Sequence, residues 1–232
     1  VLPKNFLNSL YYEKTRKFIH QNFTIIDIID CEGEYIDTKQ DTIIFILQKI
    51  KNLSCHSPFS ININRHITFG TSQNIQNIQN SLTNCTFLNK LQLHCRVGKV
   101  VWNQVKHKLT DNHEKTRLIY SSDIIDNKLS IKTYKDVHKK NYIDYEGDNI
   151  VRLIINRGYG KGNYKFNYCI VNVDYNYVLE NHVISVEGGD NELYEKIIKS
   201  FEDERTKQFI ENYFGNNAIS TTELSSILPI YI

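Results

Sequence analysis

At 232 residues and 27.3 kDa the chain has room for one large or two small domains. Its 41% hydrophobic and 23% charged residues make a foldable composition and exclude a disordered chain. No uncharged apolar run nears the roughly 18 residues of a membrane span, so no membrane partner is expected, and a net charge of +2 excludes a uniformly basic protein.

Val1-Leu2-Pro3 reads as the end of a strand already under way. Asn8 or Ser9 can cap a helix running to about Gln21, with Leu10, Phe18 and Ile19 inward and a Glu13–Lys17 pair outside. A strand follows from Phe23 to about Cys31, and Glu32-Gly33-Glu34 is its turn. Thr42 to Leu47 is apolar on both faces, the pattern of a central strand covered by helices on both sides. This order is that of the second half of a layered α/β domain. Lys49 to Asn64 is polar, holds Pro58 and has no clear period. The expected organisation is therefore a first segment over residues 1–52, a linker over 53–64 and a second domain over 65–232.

In the second domain, Ile75, Ile78 and Leu82 recur at helical spacing and predict a short helix over Gln73 to Leu82. From Leu91 to Val186 the signals are mostly β. From Asp190 the chain turns helical, with a stripe of Leu193, Ile197, Phe201, Phe209, Ile210 and Tyr213 ending at Gly215, a natural C′ residue. Ser220-Thr221-Thr222-Glu223 has the spacing of a capping box and opens a last helix, stopped by Pro229.

Five cysteines, an odd number without CxxC spacing, exclude a disulfide scaffold and fit reduced thiols in a cytoplasmic protein. His94-Cys95 and Cys55-His56 are neighbours that point to opposite faces of a strand, so no metal site is expected. The chain has no methionine, so Val1 is expected to follow further sequence of a longer protein. Heavy use of Ile, Asn, Lys and Tyr points to an AT-rich genome.

Three stretches carry chemistry. Gly158-Tyr159-Gly160-Lys161-Gly162 has GxGxG spacing and a second β-like run after it, which predicts a hairpin tip and not a dinucleotide loop. Arg157, Lys161 and Lys165 alternate there with Tyr159, Tyr164 and Tyr168, beside Asn163, a pattern suited to nucleic acid. Arg96 to Arg117 holds six Lys/Arg against two acids; Trp102 is expected in the core, with Asn103, Gln104, Lys106 and Lys108 toward DNA. Lys128 to Lys140 holds five Lys against one Asp and reads as a solvated face or a phosphate contact. Glu187 to Glu204, with seven acids against two Lys, gives the chain an opposite, acidic patch.

Val1 to Lys49 resembles the segment after the catalytic Asn-Pro-Pro-Tyr of TaqI-like and type IIG adenine-N6 DNA methyltransferases. Val97 to Thr110, Leu118 to Ile124, Ile154 to Tyr168 and Ile219 to Ile230 resemble that family's C-terminal target-recognition domain. The resemblance implies an α/β segment completing a Rossmann-like methyltransferase sheet, followed by an α+β target-recognition domain, β-rich with C-terminal helices. It implies a parent enzyme that flips an adenine out of duplex DNA and methylates its N6 with S-adenosylmethionine. Neither the glycine-bearing cofactor loop nor Asn-Pro-Pro-Tyr occurs in this sequence, so the chain alone is expected to bind no cofactor, hold no catalytic residue and be inactive. In that family an aromatic contacts the flipped base from the strand matching Thr42 to Lys49; Leu47 aligns with it, and Phe45 lies two residues away on the same face. Ser121, Ser122 and Asp123 are expected at the DNA rim. The partners implied are double-stranded DNA and the N-terminal catalytic half, in a bacterium or large DNA virus. The alternatives are a specificity subunit working with a separate catalytic chain, and a metal nuclease using Asp30, Asp37 and Lys39, whose D…DxK form (with Asp27 as the other choice of first acid) is loose.

Overall fold

A computed structural model describes residues 1–31, 41–49, 57–157, 165–214 and 219–232. The chain divides into two units, Val1–Asn84 with Gln208–Phe214, and Cys85–Lys207 with Gly215–Ile232.

The first unit starts with strand β1 (Leu2–Pro3). Ser9 is a cap as expected, its Oγ accepting from the Tyr11 N–H at 3.4 Å, but it opens a 3-10 turn over Leu10–Tyr12. Helix α1 (Glu13–Asn22) follows, with Glu13 and Lys17 paired at 2.6 Å. Ile19 is buried, whereas Phe18 is 57% exposed, which corrects its expected inward placement. The inward face runs through Arg16 and Ile19, three residues apart, and Phe18 falls off it.

Strand β2 (Thr24–Cys31) pairs antiparallel with β3 (Thr42–Gln48), and β1 flanks β3 on the other side. β3 is central, as its composition predicts. Ile43, Phe45 and Leu47 face a core with Phe6, Ile19, Ile25 and Ile28. The other face is not covered as expected: Ile26, Ile29, Ile44 and Ile46 are all exposed. The turn at 32–34 lies outside the described residues.

The polar stretch expected as a linker is folded from residue 57 onward. Strand β4 (Ser60–Ile63) forms a hairpin with β5 (His66–Phe69) through Asn64 and Arg65, both at positive φ, as a two-residue hairpin turn requires. Ile67 and Phe69 enter the same core as α1 and β3. Burial of these two side chains outweighs the polar composition around them, so the first unit reaches Asn84 and does not stop at residue 52. Helix α2 (Ser72–Ser81) is capped by Thr71 and buries Ile75 and Ile78, as the spacing predicts.

The second unit contains strands β6 (His94–Val97), β7 (Leu109–Thr110), β8 (Thr116–Ile119), β9 (Ile124–Ile125), β10 (Lys128–Leu129), β11 (Tyr142–Ile143), β12 (Arg152–Asn156), β13 (Tyr168–Val171), β14 (Tyr177–Leu179) and β15 (Val183–Glu187). They form two four-stranded sheets, β14-β8-β11-β7 and β13-β12-β15-β6, and a small β9–β10 hairpin. Strand alternation shares the core between the sheets. Ile119, Tyr177 and Leu179 pack with Ile154, Cys169, Val171 and Val183, while Leu118, Val178 and Ile143 point the other way, toward Val100, Leu109 and Tyr120.

Gly98 makes the crossing between the sheets possible. Its N–H donates to the Val183 carbonyl at 2.9 Å, and a Cβ there would lie 2.2 Å from the Glu180 carbonyl oxygen and 2.5 Å from that of Leu179. These neighbours are backbone and cannot swing aside. Gly98→Ala should therefore cost about 2 kcal/mol, read as a lower urea midpoint by Trp102 fluorescence. A midpoint equal to wild type would show that the strands part freely here.

Helix α3 (Asn191–Glu202) is capped by Asp190 and buries Tyr194, Ile197 and Phe201; Tyr194 takes the inward place expected of Leu193. Helix α4 (Glu204–Tyr213) buries Phe209 and Tyr213, with Ile210 only half-buried. The expected C′ residue Gly215 lies outside the described residues. Helix α5 (Thr221–Ser226) has the expected box: Ser220 Oγ accepts from Glu223 N–H at 3.2 Å, and Glu223 accepts from Ser220 N–H at 2.8 Å. The chain is thus mixed α/β with several sheets.

Candidate nucleic-acid interface

The Gly-rich run connects antiparallel neighbours, β12 and β13, with Ile154 opposite Cys169 and Ile155 opposite Tyr168. Strand follows strand, so the dinucleotide reading is excluded on topology. Tyr159, Lys161, Asn163 and Tyr164 lie outside the described residues. The base of the hairpin is described and tightly closed. Asn156 N–H donates to Asn167 O, Asn167 N–H to Asn156 Oδ1, and Asn156 Nδ2 to Lys165 O, all at 2.9 Å. The half-buried Arg157 donates its N–H to His182 O at 2.9 Å.

At this base lies an open pocket of 350 Å³, where Asn156, Lys165 and Asn167 meet Ser121, Ser122 and Lys132. Two sequence-predicted groups, the hairpin and the Ser121–Asp123 segment, are therefore neighbours. Asp123 does not share the pocket, and burial corrects its placement at a DNA rim. It is 0% exposed; Oδ2 accepts from Tyr120 N–H at 2.9 Å, and Oδ1 accepts from Lys132 N–H at 3.0 Å and Tyr134 O–H at 2.8 Å. Its carboxylate organises the loop that carries the Lys128–Lys140 run. Ser121 is also buried, and Ser122 Oγ lies 2.8 Å from Tyr134 Oη.

Tyr134 leads to the Trp102 region. The Lys139 ammonium sits 4.0 Å from the Tyr134 ring centroid, 4.2 Å from that of Tyr120 and 5.5 Å from that of Trp102. Burial pulls its pKa below the usual lysine value, and the Glu180 and Asp123 carboxylates oppose that shift. Burial likewise raises both tyrosines. Lys139 is thus a half-buried cation held among rings and not the fully solvated lysine its run suggests; Lys132 and Lys135 are exposed. Trp102 is half-buried, not core, and also carries Lys106 at 5.6 Å. Asn103, Gln104, Lys106 and Lys108 are exposed on two 3-10 turns, Trp102–Gln104 and Lys106–Lys108. Val105 separates the two turns. From the hairpin base through Tyr134 and Lys139 to Lys106, rings and cations follow one another without a break.

Phe45 and Leu47, the residues implied as flipped-base contacts, are half-buried on the core face of β3. Phe45 stacks on Phe69 at 5.6 Å and meets Phe6 edge-on, and Leu47 packs on the same cluster. The nuclease reading finds no support among the described residues: no group of His, Cys, Asp or Glu there can hold a metal ion, and Asp30 is paired with Lys4. Asp37 and Lys39 lie outside the described residues. Cys31, Cys85, Cys95 and Cys169 form no disulfide among the described residues, and burial pushes the Cys95 and Cys169 thiols up to about 12, which keeps them unreactive. No described helix is long and apolar enough to cross a membrane.

No family model matches the chain. The chain is 38% identical over 79 residues, 34% of its length, to the type II methyltransferase M.CvrRI of Paramecium bursaria Chlorella virus XZ-6E. The match spans 20% of that relative, and over it the two sequences are related. The solved structure of the type IIG restriction endonuclease BpuSI aligns with 100% of this chain and 39% of its own, at 12% identity and a TM-score of 0.36, too low to equate the two folds.

Proposed function

We propose that this chain is the C-terminal part of a site-specific DNA adenine-N6 methyltransferase of the restriction-modification type. Its second unit would be the target-recognition domain that grips duplex DNA. The observation that carries the reading is the 38% identity over 79 residues to a type II methyltransferase. The cationic, ring-bearing surface around the β12–β13 hairpin and Trp102 supplies what such a role needs, cations for phosphates and side chains for base edges. In the first unit, the row of exposed isoleucines on β2 and β3 suits a sheet face that a catalytic half would cover. That half would bind S-adenosylmethionine and hold the flipped adenine. This chain's part is to bind and orient the duplex.

The reading is tested on a mixed-sequence duplex, because phosphate contacts are independent of sequence. Arg157→Ala and Lys161→Ala should each weaken binding and reduce the log–log salt slope by about 1. Unchanged affinity and slope in both variants would remove the hairpin from the DNA face. The chemistry is read separately, by mass spectrometry of DNA from cells expressing the complete gene. N6-methyladenine is expected, and 5-methylcytosine would overturn the adenine assignment.

A further inference from the structure

Away from the hairpin, a second pocket of 260 Å³ opens where β8, β11 and the turn before β14 meet. Its floor is Arg117, the second residue of β8, opposite Tyr142 of β11. The guanidinium lies 4.0 Å from the Tyr142 ring centroid and 5.8 Å from that of Tyr175, and donates to Tyr142 Oη at 2.5 Å. Arg96, Arg152 and Arg205 each have a carboxylate within 4 Å. Arg117 has none among the described residues, and its buried Nε has no acceptor. His113 and Lys115 stand beside it in the lining; Glu114 is the single acid there, against the two cations Lys115 and Arg117. Lys115 is engaged with Asp144 at 2.7 Å, so Arg117 supplies the available charge.

An arginine whose guanidinium lies 4.0 Å from one ring centroid, with N–H donors left over, is suited to a planar or tetrahedral oxyanion. A buried N–H without an acceptor is costly, and an anion arriving there repays that cost. We propose that the Arg117 pocket is a phosphate-binding site, filled by a backbone phosphate of the DNA strand. The identification of the strand rests on the DNA-binding reading above; the oxyanion chemistry of the pocket does not. The Tyr142 and Tyr175 rings serve the sugar or base next to that phosphate.

The full chain is titrated with a mixed-sequence duplex over a range of salt, as wild type, Arg117→Ala, Arg117→Lys and Lys161→Ala. In parallel the Arg117 Nε–H resonance is followed by NMR in wild type, with duplex and then with inorganic phosphate alone. Arg117→Ala should weaken duplex binding about tenfold and lower the salt slope by about 1, while Arg117→Lys keeps the slope and recovers part of the affinity. The Nε–H resonance should shift saturably with duplex. If Arg117→Ala does not fold, the lysine variant and the wild-type resonance still decide. An unmoved resonance and unchanged slope, in a protein whose binding still depends on Lys161, would overturn the pocket and leave DNA binding standing. If the duplex does not bind at all, the DNA reading falls. A saturable shift with phosphate alone then assigns the pocket to a free phosphate compound, and a flat titration overturns it.

Discussion

Arg16→Ala should destabilise the first unit by about 4 kcal/mol. Arg16 is 1% exposed, and its guanidinium donates to four main-chain carbonyls: Ile67 at 2.7 Å, Phe6 at 3.0 Å, Asn8 at 3.0 Å and Ser9 at 2.7 Å. Phe6 and Asn8 lie at the end of the first 3-10 turn, Lys4–Leu7, and Ser9 opens the second, all in the segment that leads into α1. The fourth lies on β5, so one side chain ties the entry segment, α1 and the hairpin together. Removing it strands buried acceptors and opens a cavity. Arg16→Met fills the space without donors and should cost nearly as much. Arg16→Lys has three donors on a point charge and cannot span the fork, so it should fall between. Because the guanidinium stays protonated, the loss should be the same at pH 6 and pH 8. The only tryptophan is in the second unit, so the readout is amide exchange in peptides over 60–69. Protection within 1 kcal/mol of wild type in Arg16→Ala would mean that water replaces the guanidinium at little cost.

Why Arg16 escapes a reading of the sequence is instructive. Arginine is an outer-face residue by default, and the α1 pattern of Glu13, Lys17 and Ile19 gives no sign that a charge turns inward. The same default misplaces Lys139, whose run of lysines looks solvated until Tyr120, Tyr134 and Trp102 are brought around it by three separate segments. Local signals fared better. The Ser220–Glu223 box and the α2 spacing each depend on a few adjacent residues and occur where their chemistry predicts, and the strands on either side of the Gly-rich run pair antiparallel. β3 is central for the reason its composition gives, but composition cannot tell whether a second layer covers its far face. The β4–β5 hairpin was hidden because its apolar residues are few and its turn, Asn64-Arg65, lacks the usual glycine.

For the candidate interface, the sequence located the cations and rings but not their division of labour. Exposed Lys106 and Lys108 remain available to a phosphate, whereas Lys139 and Asp123 are spent on holding the loop between them. Arg117 falls within the basic stretch that starts at Arg96, and the sequence gives it no separate role, because its lack of a carboxylate partner among the described residues is a fact of the fold. The basic surface is thus a set of exposed contacts beside a loop held by the buried Asp123 and the half-buried Lys139.

That division has a sharp consequence at Asp123. A carboxylate facing DNA repels phosphates, so replacing it by asparagine would raise affinity and leave stability alone. A buried carboxylate accepting from Tyr120 N–H, Lys132 N–H and Tyr134 O–H does the opposite. Asp123→Asn turns an NH₂ group toward one of these donors and should cost about 2 kcal/mol. Asp123→Ala leaves the buried Tyr120 N–H and the part-buried Lys132 N–H without this acceptor and deprives Lys139 of a counter-charge, for about 3 kcal/mol. Trp102, which carries Lys139 at 5.5 Å, reports both losses in a urea melt. Duplex affinity of the folded Asp123→Asn protein should be no higher than wild type, with the same salt slope, since no phosphate contact is gained or lost. Tighter binding at unchanged stability would return Asp123 to the DNA face and break the scaffold assigned to it.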